Sequence, residues 1–194
     1  MDKLTREDLY TLEKYAEIRN DFRTRVMQHK KNRRLSIGPN ATLYFEDRLV
    51  MQYQIQEILR TERIFEAEGI NEELEAYNPL IPDGSNWKAT FMIEFPDEAE
   101  RRVALSKMIG VEDKTWVMVE GYEKVFPIAD EDLERDNETK TSSVHFLRFE
   151  LGKDMIAALK SGANLSAGID HPAYSHAVAS VPANIRDSLV SDLD

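Results

Sequence analysis

The chain of 194 residues contains no cysteine. This absence excludes disulfide scaffolds, thiolate metal sites, cysteine-bound iron–sulfur clusters and cysteine nucleophiles together. No apolar run reaches the length of about 18 residues that a membrane helix needs. The opening residues, MDKLTRED, carry no apolar segment of signal-peptide type. We therefore expect a cytoplasmic protein that does not enter a membrane.

The sequence also lacks the usual local motifs of catalysis and nucleotide binding. It has no Gly-x-Gly-x-x-Gly, no Gly-x-x-x-x-Gly-Lys and no Gly-x-Ser-x-Gly. The metal-binding spacings Glu-x-x-His, His-Glu-x-x-His and His-x-His are absent as well. The sequence by itself therefore indicates no cofactor, and it leaves open whether the protein is an enzyme.

The net charge of −11 is spread unevenly along the chain. Residues 1 to 35 carry ten Lys or Arg against six Asp or Glu, whereas the rest carries 15 against 30. Between Arg23 and Arg34 no acid occurs. Such a cluster could meet an acidic partner or nucleic acid, or it could simply complement the dipole at a helix C-terminus. We do not expect nucleic-acid binding, because the acidic body would repel phosphate.

Helical signals dominate the first half of the chain. Thr5, followed by acids, predicts a first helix, and a second cap signal at Asn20 predicts a break or restart before the helical segment ends near Asn32. Residues 35 to 45 alternate around a Gly-Pro-Asn turn, which predicts a short hairpin. The longest helix is predicted over residues 48 to 68.

The second half of the chain changes to a period of two. Strands are predicted over 87–95, 115–120, 124–128, 143–151 and 165–169. The first of these strands is expected to be central in its sheet. The acidic stretch 130–141 is expected to be an exposed connection. Helices and strands do not alternate regularly. We therefore predict an α+β fold, in which an antiparallel sheet of about five strands carries helices mainly on one face.

The end of the chain differs in composition from the rest. Residues 171 to 183 are rich in Ala, Ser and Pro and predict a loose arm, followed by a small amphipathic helix with Ile185, Leu189 and Leu193 in register. We expect a single domain over 1–170 and a C-terminal arm with its helix over 171–194. If this helix docks on a second copy, the protein is a structural homodimer.

The long helix offers the first candidate site. At about 100° per residue, one stripe of this helix collects four apolar residues, Met51, Ile55, Ile58 and Phe65. Gln54 and Glu62 fall within the stripe and Glu57 at its border. Burying a carboxylate is costly unless it is paired or bound to metal. We predict that Glu62 is largely buried and bonded to a cationic or backbone donor.

These carboxylates have two interpretations. In the structural one, Glu57 and Glu62 accept hydrogen bonds from arginine or backbone groups and hold the helix on the sheet. In the functional one, they line a pocket as ligands or as a general base.

Histidines extend the candidate pocket. His145 shares a strand face with apolar residues, where a histidine is usually a hydrogen-bonded core residue, and His171 follows the last predicted strand, where pockets can open. Together with Glu57 and Glu62, they would offer oxygen and imidazole ligands suited to iron, manganese or zinc. The candidate pocket therefore comprises Gln54, Glu57, Glu62, His145 and His171.

Four blocks of sequence carry a resemblance to a known family. They are FEDR at 45–48, QIQEILRTERI at 54–64, YNPLIP at 77–82 and SSVHFLRF at 142–149. The chain resembles a bacterial family that is catalogued only as a domain of unknown function. Its genes often lie beside those of rubrerythrin and of a flavin or iron–sulfur oxidoreductase. The resemblance implies a setting of peroxide defence and electron transfer, but no catalytic residues.

Three hypotheses follow for the function. The first is an accessory protein of a non-haem-iron redox system, with rubrerythrin-like or iron–sulfur oxidoreductase proteins as partners. The second is a small-ligand or metal-dependent enzyme built on the inward carboxylates of the long helix. The third is the structural homodimer.

Overall fold

The computed structural model describes residues 2–133, 135 and 139–194. In these residues the chain forms six α-helices: α1 (Leu12–Lys31), α2 (Arg48–Glu62), α3 (Ala67–Tyr77), α4 (Glu98–Lys107), α5 (Lys153–Lys160) and α6 (Ala183–Val190). The strands are β1 (Arg34–Ile37), β2 (Ala41–Phe45), β3 (Asn86–Ile93), β4 (Thr115–Val119), β5 (Ile128–Ala129), β6 (Val144–Glu150), β7 (Leu165–His171) and β8 (Tyr174–Val178). None of the helices in this part of the chain has both the length and the apolar character to cross a membrane.

The strands form two antiparallel sheets. One has five strands in the order β1-β2-β3-β6-β5, and the other has three in the order β4-β7-β8. The α+β class, the sheet of five strands, the hairpin β1-β2 and the central position of β3 are confirmed. The second sheet was not predicted. The strands β4 and β7 were expected in the same sheet as β3, but they pair with each other.

The main apolar core contains side chains from both sheets and from α4, α5 and α6. The central strand β3 contributes every second residue to this core, because side chains alternate between the two faces of a strand. The four buried residues are Trp87, Ala89, Phe91 and Ile93, each 2% exposed or less. The indole N–H of Trp87 donates to the Leu189 carbonyl at 2.8 Å, so α6 is fastened to the central strand.

The N-terminal helices form clusters separate from this core. Helix α1 runs without interruption, and Tyr15, Phe22 and Val26 are buried on its inner face. The predicted restart at Asn20 is wrong: the residue lies exposed within the helix, where its cap signal has no effect. Thr5 caps only a short 3-10 turn, Arg6–Asp8, ahead of α1.

The helix predicted over 48–68 ends at Glu62. Arg63 adopts a left-handed conformation, with φ 57°, and the Ile64 N–H donates to the Leu59 carbonyl at 2.9 Å. Helix α3 then starts at Ala67. The prediction was too long because no glycine or proline marks the break, although a non-glycine residue rarely adopts this conformation.

The C-terminal segment is more ordered than its composition indicates. Strand β8 lies within the predicted arm and pairs with β7. The Tyr174 hydroxyl accepts hydrogen bonds from the N–H groups of Asn40 and Ala41, at 2.9 and 3.1 Å, and donates to the Ile37 carbonyl at 2.8 Å. The expectation of a loose arm was therefore wrong, because one aromatic residue anchors the segment to the hairpin.

Two further predictions concern the middle of the chain. The strand expected over 124–128 is reduced to a single bridge between Val117 and Val125 and the two residues of β5, which pair with β6. Within the connection expected over 130–141, residues 134 and 136–138 lie outside the described residues.

A buried arginine joins the two ends of the fold. Arg33 is 2% exposed, and its guanidinium bonds to the Asp192 carboxylate at 2.5 and 3.1 Å. It also donates to the carbonyls of Phe45, Glu46 and Ser188, at 3.3, 3.0 and 3.1 Å. The end of α1, the end of β2 and the C-terminus of the chain therefore meet at one side chain.

We expect Asp192→Ala to lower the free energy of unfolding by about 3 to 5 kcal/mol, because it leaves the buried Arg33 charge without its bidentate partner and with only the more distant Asp47 carboxylate, at 3.6 Å. Asp187→Ala is the matched control in the same C-terminal segment, since Asp187 is 68% exposed and forms an ion pair with its neighbour Arg186. The control should change stability by about half a kcal/mol or less. Urea melts of the three proteins measure both effects, and equal midpoints for the two variants would refute the anchoring role of Arg33.

Candidate functional site

Glu57 lies in an ion pair between α1 and α2. Arg19 donates to both of its carboxylate oxygens, at 2.8 and 2.7 Å, and the Tyr15 hydroxyl donates at 2.7 Å. The hydrogen bonds from Arg19 hold the pKa of the Glu57 carboxyl below its ordinary value, although partial burial opposes them. The geometry matches the structural interpretation, except that Glu57 holds α2 on α1 and not on the sheet.

Glu62 and Gln54 are exposed, so the prediction that Glu62 is buried is wrong. Glu62 is the last residue of α2, and Phe65, which helped to define the predicted stripe, lies beyond the helix and is 72% exposed. The inward polar residue of α2 is instead Gln56, which is 0% exposed. Its amide accepts from the Tyr10 N–H at 2.6 Å and donates to the Tyr10 carbonyl at 3.3 Å.

His145 is fully buried on β6, as predicted from its strand face. Its Nδ1 lies 2.6 Å from Asp130 Oδ2, and its Nε2 lies 2.8 Å from the Thr141 hydroxyl. A carboxylate, an imidazole and a hydroxyl in this order can pass a proton, but Thr141 is 1% exposed, so a substrate cannot reach the hydroxyl. The arrangement fastens the connection after β5 to β6.

His171 closes the turn between β7 and β8. Its Nε2 donates to the Ile109 carbonyl at 3.0 Å, and its Nδ1 accepts from the Ala173 N–H at 3.1 Å. Because one ring nitrogen donates and the other accepts, the hydrogen bonds correspond to a neutral imidazole.

The candidate ligands do not converge. Glu57 lies between α1 and α2, Glu62 on the surface, His145 beside Asp130 and His171 beside Ile109. Across residues 2–133, 135 and 139–194, no group of three or more His, Asp and Glu side chains is arranged to hold a metal ion.

A surface of opposite charge to the rest of the protein lies on α1 and β1. We call it the basic face and define it by four exposed residues, Arg23, Arg25, Lys31 and Arg34, of which Arg23 and Arg25 lie on different sides of α1. Arg23, Met27 and Lys31 follow one another at four-residue spacing and line a shallow groove of about 370 Å³. No carboxylate in the described part of the chain forms an ion pair with any of the four cations.

Aromatic rings hold two of these cations in place. The Arg25 guanidinium lies over the Phe22 ring at 4.9 Å, and the Arg34 guanidinium lies over the Tyr44 ring at 5.6 Å. Such stacking leaves the edge N–H groups of a guanidinium available to an incoming carboxylate. The basic face therefore offers oriented, unpaired donors on an acidic protein.

The geometry defines an α+β protein of two antiparallel sheets, with a basic face on its first helix. The chain belongs to the family described as "Protein of unknown function (DUF3501)", which matches residues 3–193. The resemblance to a family of unknown function is thereby confirmed.

A crystal structure at 1.90 Å resolution, of a novel protein of unknown function from Burkholderia pseudomallei K96243, is similar to this chain. The two share 51% sequence identity over 100% of each chain, with a TM-score of 0.93. No curated protein matches the chain.

The ion pair of Glu57 predicts a pH dependence of stability. Because the pKa of Glu57 is lowered in the folded protein, its contribution is complete above the ordinary value of 4.5 and is lost as the pH falls through the folded-state pKa. The stability difference between the parent and Glu57→Gln should therefore shrink between about pH 7 and about pH 3. Urea midpoints at both pH values measure it.

Glu62→Gln is the matched control on the same helix. Because Glu62 is exposed, we expect this change to cost about half a kcal/mol or less. A Glu57→Gln protein whose deficit is the same at both pH values would contradict the role of the ion pair.

Proposed function

We propose that this protein is a non-enzymatic accessory protein of a cytoplasmic non-haem-iron system for peroxide defence or electron transfer. In this proposal the basic face binds an acidic surface of a rubrerythrin-like protein or an iron–sulfur oxidoreductase. The observation that carries the proposal is the set of exposed, unpaired cations on a chain with a net charge of −11.

Electrostatics supports a protein surface as the occupant of the basic face. Two acidic proteins repel each other on average, so productive association needs a local region of opposite charge. The four cations of the basic face provide such a region, and complementary charge raises association rates and fixes orientation. The exposed Met27, at 37%, lies between Arg23 and Lys31 and adds apolar contact area.

The identity of the partner rests on the family resemblance. Its gene neighbourhood associates such proteins with rubrerythrin and with flavin or iron–sulfur oxidoreductases. That association supports a shared process, and the basic face supplies a physical means of contact. Accessory binding needs no catalytic group on this chain.

The other two hypotheses have lost the features that motivated them. The enzyme hypothesis rested on inward carboxylates of the long helix, but Glu62 is exposed and Glu57 is bonded to Arg19 and Tyr15. The homodimer hypothesis rested on a free apolar C-terminal helix, but Ile185, Leu189 and Leu193 are buried within their own chain.

Binding of purified partners tests the proposal. We expect the rubrerythrin-like protein or the oxidoreductase from the same genome to bind this protein in calorimetry, with an affinity that falls as salt rises. The double variant Arg23→Glu, Lys31→Glu should weaken binding by about tenfold or more, because it replaces two attractive charges by repulsive ones.

The control variant is Lys107→Glu, Lys160→Glu. Both lysines are exposed in the last turns of other helices, so the control changes net charge by the same amount without touching the basic face. Its affinity should match that of the parent. The proposal fails if neither candidate partner binds, or if both double variants weaken binding equally.

A further inference from the structure

A second feature lies on the outer face of the five-stranded sheet. A cleft of about 440 Å³ opens between α3, with the turn that follows it, and the residues after β5. We call it the sheet cleft and define it by Tyr77, Leu80, Lys88, Glu131, Phe146 and Arg148. It does not share a residue with the basic face.

The walls of the sheet cleft are largely apolar. Tyr77 and Leu80 line one side, and Phe146 lines the other, all three partly buried. The Arg135 guanidinium lies over the Phe146 ring, 4.7 Å from its centroid. Apolar walls with a few charged groups are the usual composition of a small-molecule site, and the volume falls in the usual range.

The floor carries two cations side by side. Lys88 on β3 and Arg148 on β6 are direct cross-strand partners. Like charges in this position destabilise a sheet. Burial lowers the pKa of Lys88, and the charge of Arg148 acts in the same direction. The charges of Asp83, Glu131 and Glu150 act in the opposite direction. The sheet therefore places two cations side by side at the base of an apolar cleft, with carboxylates that only partly offset their repulsion.

The two cations differ in how they are neutralised. Arg148 donates to both oxygens of Glu131, at 2.8 and 2.7 Å, and also bonds to Glu150. The Lys88 ammonium donates a hydrogen bond to the Pro79 carbonyl. Within the described ranges, no carboxylate forms an ion pair with Lys88, and an ammonium can donate three hydrogen bonds. Lys88 can therefore still donate hydrogen bonds to an anion.

We infer that the sheet cleft binds a small amphipathic carboxylate, whose charged group bonds to Lys88 and whose apolar part lies between Tyr77 and Phe146. The negative charge of this carboxylate gives Lys88 the kind of ion pair that Arg148 already has with Glu131. Of the acids that line the cleft, Glu131 is bonded to Arg148 and Asp132 to Arg135, which leaves Glu73 to repel an anion. This repulsion is about twice as large for a dianion such as phosphate as for a carboxylate, so a single charge fits better.

The turn after α3 provides a matched control. Lys3 donates to the carbonyls of Asn78 and Ile81, at 2.7 and 2.9 Å, and so fastens the same turn that Lys88 bonds through Pro79. Lys3 does not line the cleft. Lys88→Met and Lys3→Met therefore both remove a lysine that bonds to this turn. Only Lys88→Met also removes a positive charge from the base of the sheet cleft.

The test is a titration of the full chain with 3-phenylpropionate and with its neutral amide, followed by two-dimensional NMR. We expect the acid to shift the backbone signals of Tyr77, Ala89 and Leu147, and the amide to bind about tenfold more weakly or worse. Lys88→Met should weaken binding of the acid by a similar factor, whereas Lys3→Met should leave it within about twofold.

Several outcomes would overturn the inference. They are equal binding of acid and amide, tighter binding of 3-phenylpropylamine than of the acid, shifts confined to another surface, or equal losses in the two lysine variants. If Lys88→Met fails to fold, as judged by its melt, the comparison of acid with amide on the parent protein still decides. A negative result in this titration does not affect the proposal for the basic face, because the titration uses no protein partner.

Discussion

The buried charge of Arg33 constrains the rest of this fold. Its guanidinium lies where α1 has just ended, and its bonds reach the end of β2 and the C-terminal turn of the chain. A buried cation must be surrounded by acceptors, so these segments can take only positions that supply them. Because Arg33 turns inward, its neighbours Lys31 and Arg34 are left on the surface, where they form part of the basic face.

The two carboxylates beside Arg33 are held unequally. Asp47 Oδ2 lies 3.6 Å from Arg33 Nε. Burial alone would raise the pKa of Asp47, but hydrogen bonds from His29 and the Val50 N–H, together with the charge of Arg33, outweigh burial and lower the pKa. Burial raises the pKa of Asp192 in spite of the bonds from Arg33. Asp47 therefore carries its charge at lower cost, since it also caps α2, while Asp192 depends on the arginine. The C-terminal turn is the weaker side of this network.

Local sequence signals predicted the elements that local physics determines. The Gly-Pro-Asn turn gave the hairpin, and alternation gave β3 and β6 with the correct buried faces. The errors in the sheets depend on distant residues. Membership of β4 and β7 in a second sheet is decided by pairing over some fifty positions, and β8 is held by the Tyr174 contacts with Asn40 and Ala41. Alternation within a strand carries no information about its partner.

The candidate site shows the same limit more sharply. The stripe on α2 is centred on Met51, Ile55 and Leu59, and the predicted one was displaced toward Glu62 because it included Phe65, which lies past the helix end. The acid-free run from Arg23 to Arg34 did indicate a cationic surface, but not that Arg33 would leave it.

The composition nevertheless gives meaning to the cations that stay unpaired. The chain has 36 acidic and 25 basic residues, so carboxylates are abundant. A shortage of acids therefore does not explain why the partly buried Lys88 has no ion-pair partner. Partial burial removes some of the water that would otherwise solvate the Lys88 ammonium. Glu131 lines the same cleft but bonds to Arg148, so in the described residues the Lys88 ammonium has no ion-paired carboxylate and can bond to a ligand.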